Sequence, residues 1–234
     1  MPPAASARHK KSPVLTAGAL TSVRADNLAE QAYGNLRSLI LERKIAPGAP
    51  VVEGRLAEEL RISRTPMREA LVRLVGEGLL ERAGARSYSV RKVAATEYFQ
   101  SMQVREVMET HAMDLAVERI PAAEIDMLMR DIRRLAGEKE QEAVHWQADD
   151  RLHLMFALAS GNAVLVKCIQ TLRVNTRLFE IAGPFRRVAR DGAEHLAILS
   201  TWRAGDPKGA KKALLAHLRN LQQEALDVLS GRRA

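Results

Sequence analysis

Apolar residues recur along most of this chain three and four positions apart, and the pattern breaks at proline, glycine and Asn/Asp clusters. Leu28, Ala32, Leu36, Leu39 and Ile40 mark one face of a first helix over residues 28–44, stopped by Pro47-Gly48-Ala49-Pro50. A short helix follows over residues 53–60, then a tight turn at Arg61-Ile62-Ser63. Ser63 or Thr65 can cap the next helix, and Pro66 is tolerated in its first turn, where backbone N–H groups have no helical partner. Met67, Ala70, Leu71 and Leu74 supply its buried stripe, and Gly76 and Gly78 end it. Residues 79–82 and 87–90 read as two short strands around a turn at Gly84-Ala85. Beyond residue 95 no strand pattern remains. Pro121, Gly137, Ser160-Gly161-Asn162, Gly183-Pro184 and Gly205-Asp206-Pro207 divide helical signals over 96–119, 121–136, 139–160, 162–182, 186–204 and 206–229. The fold class is mainly α: a winged helix-turn-helix over residues 27–94, then an antiparallel bundle of about six helices over residues 95–230. Residues 1–26 read as a disordered basic tail.

Composition supports this division. Hydrophobic residues make up 47% of the 234, enough for a sizeable core, but aromatics only 4%, so the core is aliphatic and favours helices. The single cysteine, Cys168, lies in the apolar run Val164-Leu165-Val166-Lys167-Cys168-Ile169 and reads as a small packed thiol. One cysteine excludes an internal disulfide framework and fits a reducing, cytoplasmic setting. No run approaches the roughly 18 apolar residues of a membrane span. Positive charge is concentrated at the N-terminal side: residues 1–94 hold 16 Lys+Arg against 9 Asp+Glu, the remainder 20 against 19. A polyanionic partner for the first part follows, although charge alone also serves solubility.

Arg64, Thr65 and Arg68 project from the first turns of the third helix, the part of a helix-turn-helix that enters the DNA major groove, where arginine forks suit guanine edges and phosphates. Arg86 on the wing can reach the DNA backbone or minor groove, and Arg37 on the first helix is a further candidate contact. In the helical part, His153, His195 and His217 sit on apolar stripes, and Asp149 stands one turn before His153. Three imidazoles and a carboxylate from three helices can hold Zn²⁺, Ni²⁺, Mn²⁺ or a similar ion. Hydrogen-bonded core histidines fit the spacing equally well. Arg105 either grips a ligand carboxylate or pairs with Glu109 at i+4, and as a residue pair the ordinary surface salt bridge is favoured.

Three stretches together resemble the GntR family of bacterial transcription regulators, in the FadR-type branch with an FCD ligand domain. They are Ala46-Pro47-Gly48 with Leu56-Ala57-Glu58-Glu59-Leu60; Ser63-Arg64-Thr65-Pro66-Met67-Arg68-Glu69-Ala70-Leu71 with Leu74 and Glu77-Gly78-Leu79; and Asp149-Asp150-Arg151-Leu152-His153 with Ser160-Gly161-Asn162, His195 and His217. The resemblance covers residues 28–230, and a six-helix bundle is similar to the VanR-type subgroup. It implies a homodimeric winged-helix regulator, usually a repressor, on a palindromic operator in double-stranded DNA. Asp149, His153, His195 and His217 would be its metal ligands, Arg105 would help bind a small organic acid effector, and Arg64, Thr65 and Arg68 would contact DNA. The chain departs from the pattern at Gly54, where an arginine is common, and at Arg61-Ile62, where Gly-Val is common. The rival readings are a metal-dependent enzyme with a DNA-binding appendage, which lacks a His-Glu-x-x-His signature and a convincing further base, and an architectural DNA binder with an inert bundle.

Overall fold

The computed structural model describes residues 17–138, 143–185 and 187–232. In chain order the elements are α1 (Ala17–Leu41), β1 (Pro50–Val52), α2 (Glu53–Glu59), α3 (Arg64–Gly76), β2 (Leu80–Arg82), β3 (Ser87–Val90), α4 (Ala95–Ala116), α5 (Ala122–Leu135), α6 (Ala143–Ala159), α7 (Ala163–Ala182), α8 (Val188–Arg203) and α9 (Pro207–Leu229). The class is the expected one: three helices and a small antiparallel sheet, followed by a six-helix bundle.

The sheet order is β1-β3-β2, with Val51 opposite Tyr88 and Glu81 opposite Ser89. β1 is the strand that the hydrophobic pattern missed. Three residues are too few for alternation to register, and Pro50 opens the strand at a sheet edge, where a missing N–H is harmless. α1 starts at Ala17, ten residues inside the stretch read as a tail, and residues 1–16 lie outside the described residues. No proline interrupts residues 17–41, and Ala, Leu and Arg there are good helix formers. Residues 139–142, assigned to the third bundle helix by its pattern, also lie outside the described residues.

Two caps follow the sequence closely. Asn162 accepts from the N–H of Val164 and Leu165 at 3.1 Å, starting α7. Asp206 accepts from Gly209 N–H at 2.8 Å with Pro207 at the first helical position of α9. Ser63 occupies the N-cap of α3 but makes no side-chain capping bond.

The turn between α2 and α3 explains the departure at Arg61. Arg61 has φ 53°, the left-handed conformation usually left to glycine. Its N–H reaches Glu58 O at 3.2 Å, and the next N–H, Ile62, reaches Ala57 O at 3.0 Å. These are the paired bonds of a Schellman ending. The turn therefore keeps its ordinary geometry, and an arginine holds the strained position.

The described residues form two cores. One packs Leu36, Ile40, Met67, Leu71, Leu74 and Val90 in the N-terminal domain; the other packs Tyr98, Met102, Leu128, Phe156, Ile169 and Leu214 in the bundle. Leu178 and Ile181 of α7 belong to the first core, although α7 is a bundle helix. The C-terminal end of one bundle helix thus packs into the core of the N-terminal domain.

Candidate metal centre

At the N-terminal domain, the structure gathers four of the five candidate DNA contacts. Arg64 and Thr65 open α3 and are exposed, and Arg86 is exposed at the wing tip. Arg68 forks onto Glu53 at the start of α2, Nε to Oε2 at 3.0 Å and Nη2 to Oε1 at 2.8 Å. The wing tip closes on the same point, since Glu53 N–H donates to Arg86 O at 3.4 Å. The hydrogen bond from Arg68, with help from the charges of Arg86 and Arg64, holds the buried Glu53 carboxyl below its usual range. Arg68 is half exposed, so the pair with Glu53 orients its guanidinium while leaving N–H groups outward. Arg37 is not part of this patch. It lies near Tyr33, whose hydroxyl donates to Glu77 just beyond the C-terminal end of α3. Sequence reasoning missed Glu53, because an acidic residue fifteen positions before an arginine carries no periodic signal.

In the bundle, α6 carries Asp149 and His153 one turn apart, α8 carries His195, and α9 carries His217. One ligand atom from each lies within 4.8 Å of all the others. Asp149 Oδ1 is 3.5 Å from His153 Nε2 and 3.4 Å from His195 Nε2, and the Nε2 atoms of His195 and His217 are 3.3 Å apart. Two atoms sharing one tetrahedral ion at bond lengths of about 2.0–2.1 Å sit roughly 3.3 Å apart. The spacing therefore fits a common ion.

The orientation of the rings fits as well. His153 Nδ1 donates to Glu109 Oε2 at 2.5 Å, and His217 Nδ1 donates to Glu194 Oε2 at 2.7 Å. With Nδ1 carrying the proton, each Nε2 keeps a lone pair, the arrangement in which carboxylates hold metal-binding histidines. His153 Nε2 is buried with no hydrogen-bond partner and faces a carboxylate oxygen. Two electron pairs face each other there, and a cation between them resolves the conflict. Burial pushes His195 well below the usual histidine range. It takes His217 to about 4, against the hydrogen bond to Glu194. Burial alone would raise Asp149, but the charge of Arg173, whose Nη2 lies 2.6 Å from Oδ2, holds it well below the carboxylate range. Neutral His195 and His217 beside an ionised Asp149 are the protonation states a divalent ion requires.

Arg105 corrects the surface-pair reading. It does bond Glu109, Nε to Oε1 at 2.7 Å, but both side chains are buried, 3% and 2% exposed. Nη1 donates to Thr176 at 3.0 Å, and Nη2 has no partner. Glu109 therefore joins Arg105 to the candidate ligand His153 through its two oxygens. The signal was present in the sequence: Tyr98, Met102, Arg105, Glu109 and Ala112 continue one buried stripe of α4. The same logic exposes Arg173 and Arg177, which sequence reasoning also missed. They continue the stripe of Leu165 and Ile169 on α7 and are buried.

These groups line a cavity of ≈ 640 Å³, counting its mouth, bordered by Arg105, Arg177, Glu180, Asp149, His195 and His217. Burial pushes Glu180 up against the pull of Arg177 and Arg105, and burial also pushes Asp191, another lining residue, up to about 7. Asp191, Glu194 and His217 form a second close set, but Arg187 spans its two carboxylates at 2.7 and 2.8 Å and supplies the countercharge itself.

The cavity and the N-terminal domain share α7. Its Arg173, Thr176, Arg177 and Glu180 border the cavity, while Leu178 and Ile181 lie in the other core. Arg177 lies over the Trp146 ring, its guanidinium 3.2 Å from the centroid, and Trp146 packs against the N-terminal core. Arg43, after α1, donates to Glu180 O at 3.2 Å and Gly183 O at 3.0 Å. Arg91, after β3, donates to Asn175 Oδ1 at 2.7 Å.

Comparison with known proteins agrees with this anatomy. Residues 28–90 match the model of the gntR family of bacterial regulatory proteins, and residues 100–220 match the FCD domain. The HTH-type transcriptional repressor RspR of Escherichia coli (strain K12) is 24% identical over 206 residues, covering 85% of this chain and 89% of that protein. The Nta operon transcriptional regulator of Aminobacter aminovorans is 28% identical over 187 residues, covering 79% and 88%. The solved structure of E. coli McbR/YncC superimposes with a TM-score of 0.72 at 24% identity, covering 88% of this chain and 99% of that one. The chain belongs to the gntR family of bacterial regulators, in the FadR-type branch that joins a winged helix-turn-helix to an FCD domain.

Proposed function

We propose that this protein is a ligand-responsive transcription regulator: a cytoplasmic homodimer that binds a palindromic operator as a repressor and is released by a small organic acid. The acid binds in the bundle cavity beside a divalent ion of the zinc, nickel or manganese kind, held by Asp149, His153, His195 and His217. Arg64, Thr65, Arg68 and Arg86 are the DNA contacts. Two protomers present their α3 helices to half-sites about one helical turn apart.

The observation that carries this reading is α7, which borders the cavity and whose C-terminal end packs in the core of the DNA-binding domain. An ion in the site supplies a Lewis-acidic point for a carboxylate oxygen. The rest is done by the chain. Arg105 presents an unpaired N–H to the second oxygen, and Glu109 keeps Arg105 and His153 in register with each other. Arg177 and Glu180 sense the occupant and lie on the segment that Arg43 and Arg91 tie to the DNA-binding domain. An effector changes DNA affinity only as far as it binds one placement of that segment better than another.

Against an enzyme, the carboxylates that touch the candidate ligand histidines, Glu109 and Glu194, are each also bonded to an arginine, Arg105 and Arg187. The relatives are named as regulators, RspR among them as a repressor.

His153→Ala tests the assignment. Metal content measured on the purified protein drops, operator binding stays within about twofold, and release by acid is lost. Unchanged metal content rejects the site. Footprinting of a palindrome together with size-exclusion chromatography tests the dimer, and a monomer protecting no palindrome rejects it.

A further inference from the structure

Among the described residues, four buried side-chain polar atoms lack a hydrogen-bond partner: Arg105 Nη2, Arg177 Nη1, His153 Nε2 and Glu180 Oε1. Native proteins leave few such atoms, and each calls for an explanation. Here they are not scattered. Arg105, Arg177 and Glu180 all line the same cavity, and His153 Nε2 is directed at the neighbouring ion position. The ion position accounts for His153 and a carboxylate accounts for an arginine. Neither accounts for Glu180. Arginine offers only donors, whereas a carboxylate oxygen is an acceptor. A plain carboxylate offers no donor to Glu180 Oε1.

We infer that the effector carries, besides its carboxylate, an amino or hydroxyl group that donates a hydrogen bond to Glu180 Oε1. This rests on the cavity being the effector site. Its complement is then set: acceptor atoms for Arg105 and Arg177, and one donor for Glu180. Glu180 follows Arg177 by three positions on α7, so the two project toward the same space. Glu180 also has a second role in the route to DNA, because its carbonyl accepts from Arg43 of the N-terminal domain. A group that grips the Glu180 side chain pulls on the residue that touches that domain.

Isothermal titration of full-length protein, loaded with Zn²⁺ and freed of excess metal, reads this directly. The probes are butanoate, its 2-, 3- and 4-hydroxy and amino derivatives, and succinate. At least one hydroxy or amino acid is expected to bind roughly tenfold or more tightly than butanoate, since a buried acceptor built for a donor rejects the analogue that lacks it. Glu180→Met removes the acceptor at similar length, so the preference falls to within about twofold. Glu180→Gln keeps an acceptor but not the charge. It retains the preference for the hydroxy acid and loses that for the amino acid. Tightest binding by butanoate or succinate, or a preference unchanged in Glu180→Met, overturns the inference while leaving the effector site standing. Failure of every acid, butanoate included, to bind the wild type overturns the effector site itself.

Discussion

Glu109→Gln removes one charge at nearly constant shape from the centre of a buried three-residue chain. Glu109 accepts from Arg105 through one oxygen and from His153 Nδ1 through the other, and all three groups are buried. A glutamine has one oxygen and one NH₂. If the NH₂ faces His153, the imidazole must shift its proton to Nε2, and the lone pair aimed at the ion position is gone. If the NH₂ faces Arg105, donors confront donors around a buried guanidinium. Breaking a buried pair by removing one partner typically costs about 3–5 kcal/mol, and the one hydrogen bond that glutamine keeps places this case near the lower end. Loss of such a supporting carboxylate typically weakens metal affinity by about 10–100-fold. The two effects are coupled. At free metal 100 times the wild-type Kd, the ion stabilises the wild type by about 2.7 kcal/mol, and at the same concentration the variant gains only about 0.4–1.4 kcal/mol. Urea unfolding of both proteins, with chelator and with Zn²⁺ at that concentration, measures all four values. A competition titration against a chromophoric chelator gives the affinities independently. A variant as stable as the wild type without metal, or one that gains the full metal stabilisation, refutes the coupling of Arg105 to His153 through Glu109.

Arg61→Gly relieves the left-handed φ of 53° and should raise stability by about 1 kcal/mol in urea unfolding, the cost of that conformation for a residue with a side chain, partly offset by the freer unfolded chain. A lower midpoint would show that the arginine side chain contributes more than its backbone costs. Arg68→Ala should weaken operator binding at least roughly tenfold in fluorescence anisotropy while changing random-DNA binding less, the mark of a base contact. Equal loss on both would make it a phosphate contact. His217 has its pKa lowered to about 4 by burial, so it gives stability that is complete above pH 6.5 and is lost as pH falls toward 4. In metal-free protein, the stability gap between wild type and His217→Gln should therefore narrow on going from pH 7 to pH 4. Asp191, raised to about 7 by burial, titrates in the same window beside His217, so both proteins are compared in an Asp191→Asn background. A gap that is flat or widens contradicts a neutral, buried His217.

The sequence announces elements whose ends are chemical. Asn162 and Asp206-Pro207 name two helix starts outright, because their caps use side chains that few other positions need. It also picks out the four residues that the fold brings together, because His153, His195 and His217 share apolar stripes and Asp149 stands one turn before His153. β1 is not legible, since three residues at a sheet edge gain their partner from β3, nearly forty positions away. The start of α1 is not legible either, since residues 17–27 show no cap and only weak periodicity. At the site, the missing part is the layer behind the ligands. Arg105–Glu109 has the spacing of an exposed i, i+4 pair, and only the phase of the surrounding stripe distinguishes a buried pair from an exposed one. Arg173, Arg177 and Glu180 are hidden for a similar reason: charged residues on an apolar stripe look like interruptions until a cavity gives them a purpose.

If a small acid at the metal site reaches DNA through α7, metal, acid and operator must be linked in one equilibrium. Fluorescence anisotropy on the DNA upstream of this protein's own gene, in the presence of Zn²⁺ or of a chelator, tests that link most directly with a panel of hydroxy and amino acids added. Salt-sensitive binding that one acid releases only when metal is present is the expected result. Binding that an acid releases equally well in chelator, or specific binding that ignores every acid with metal present, contradicts it.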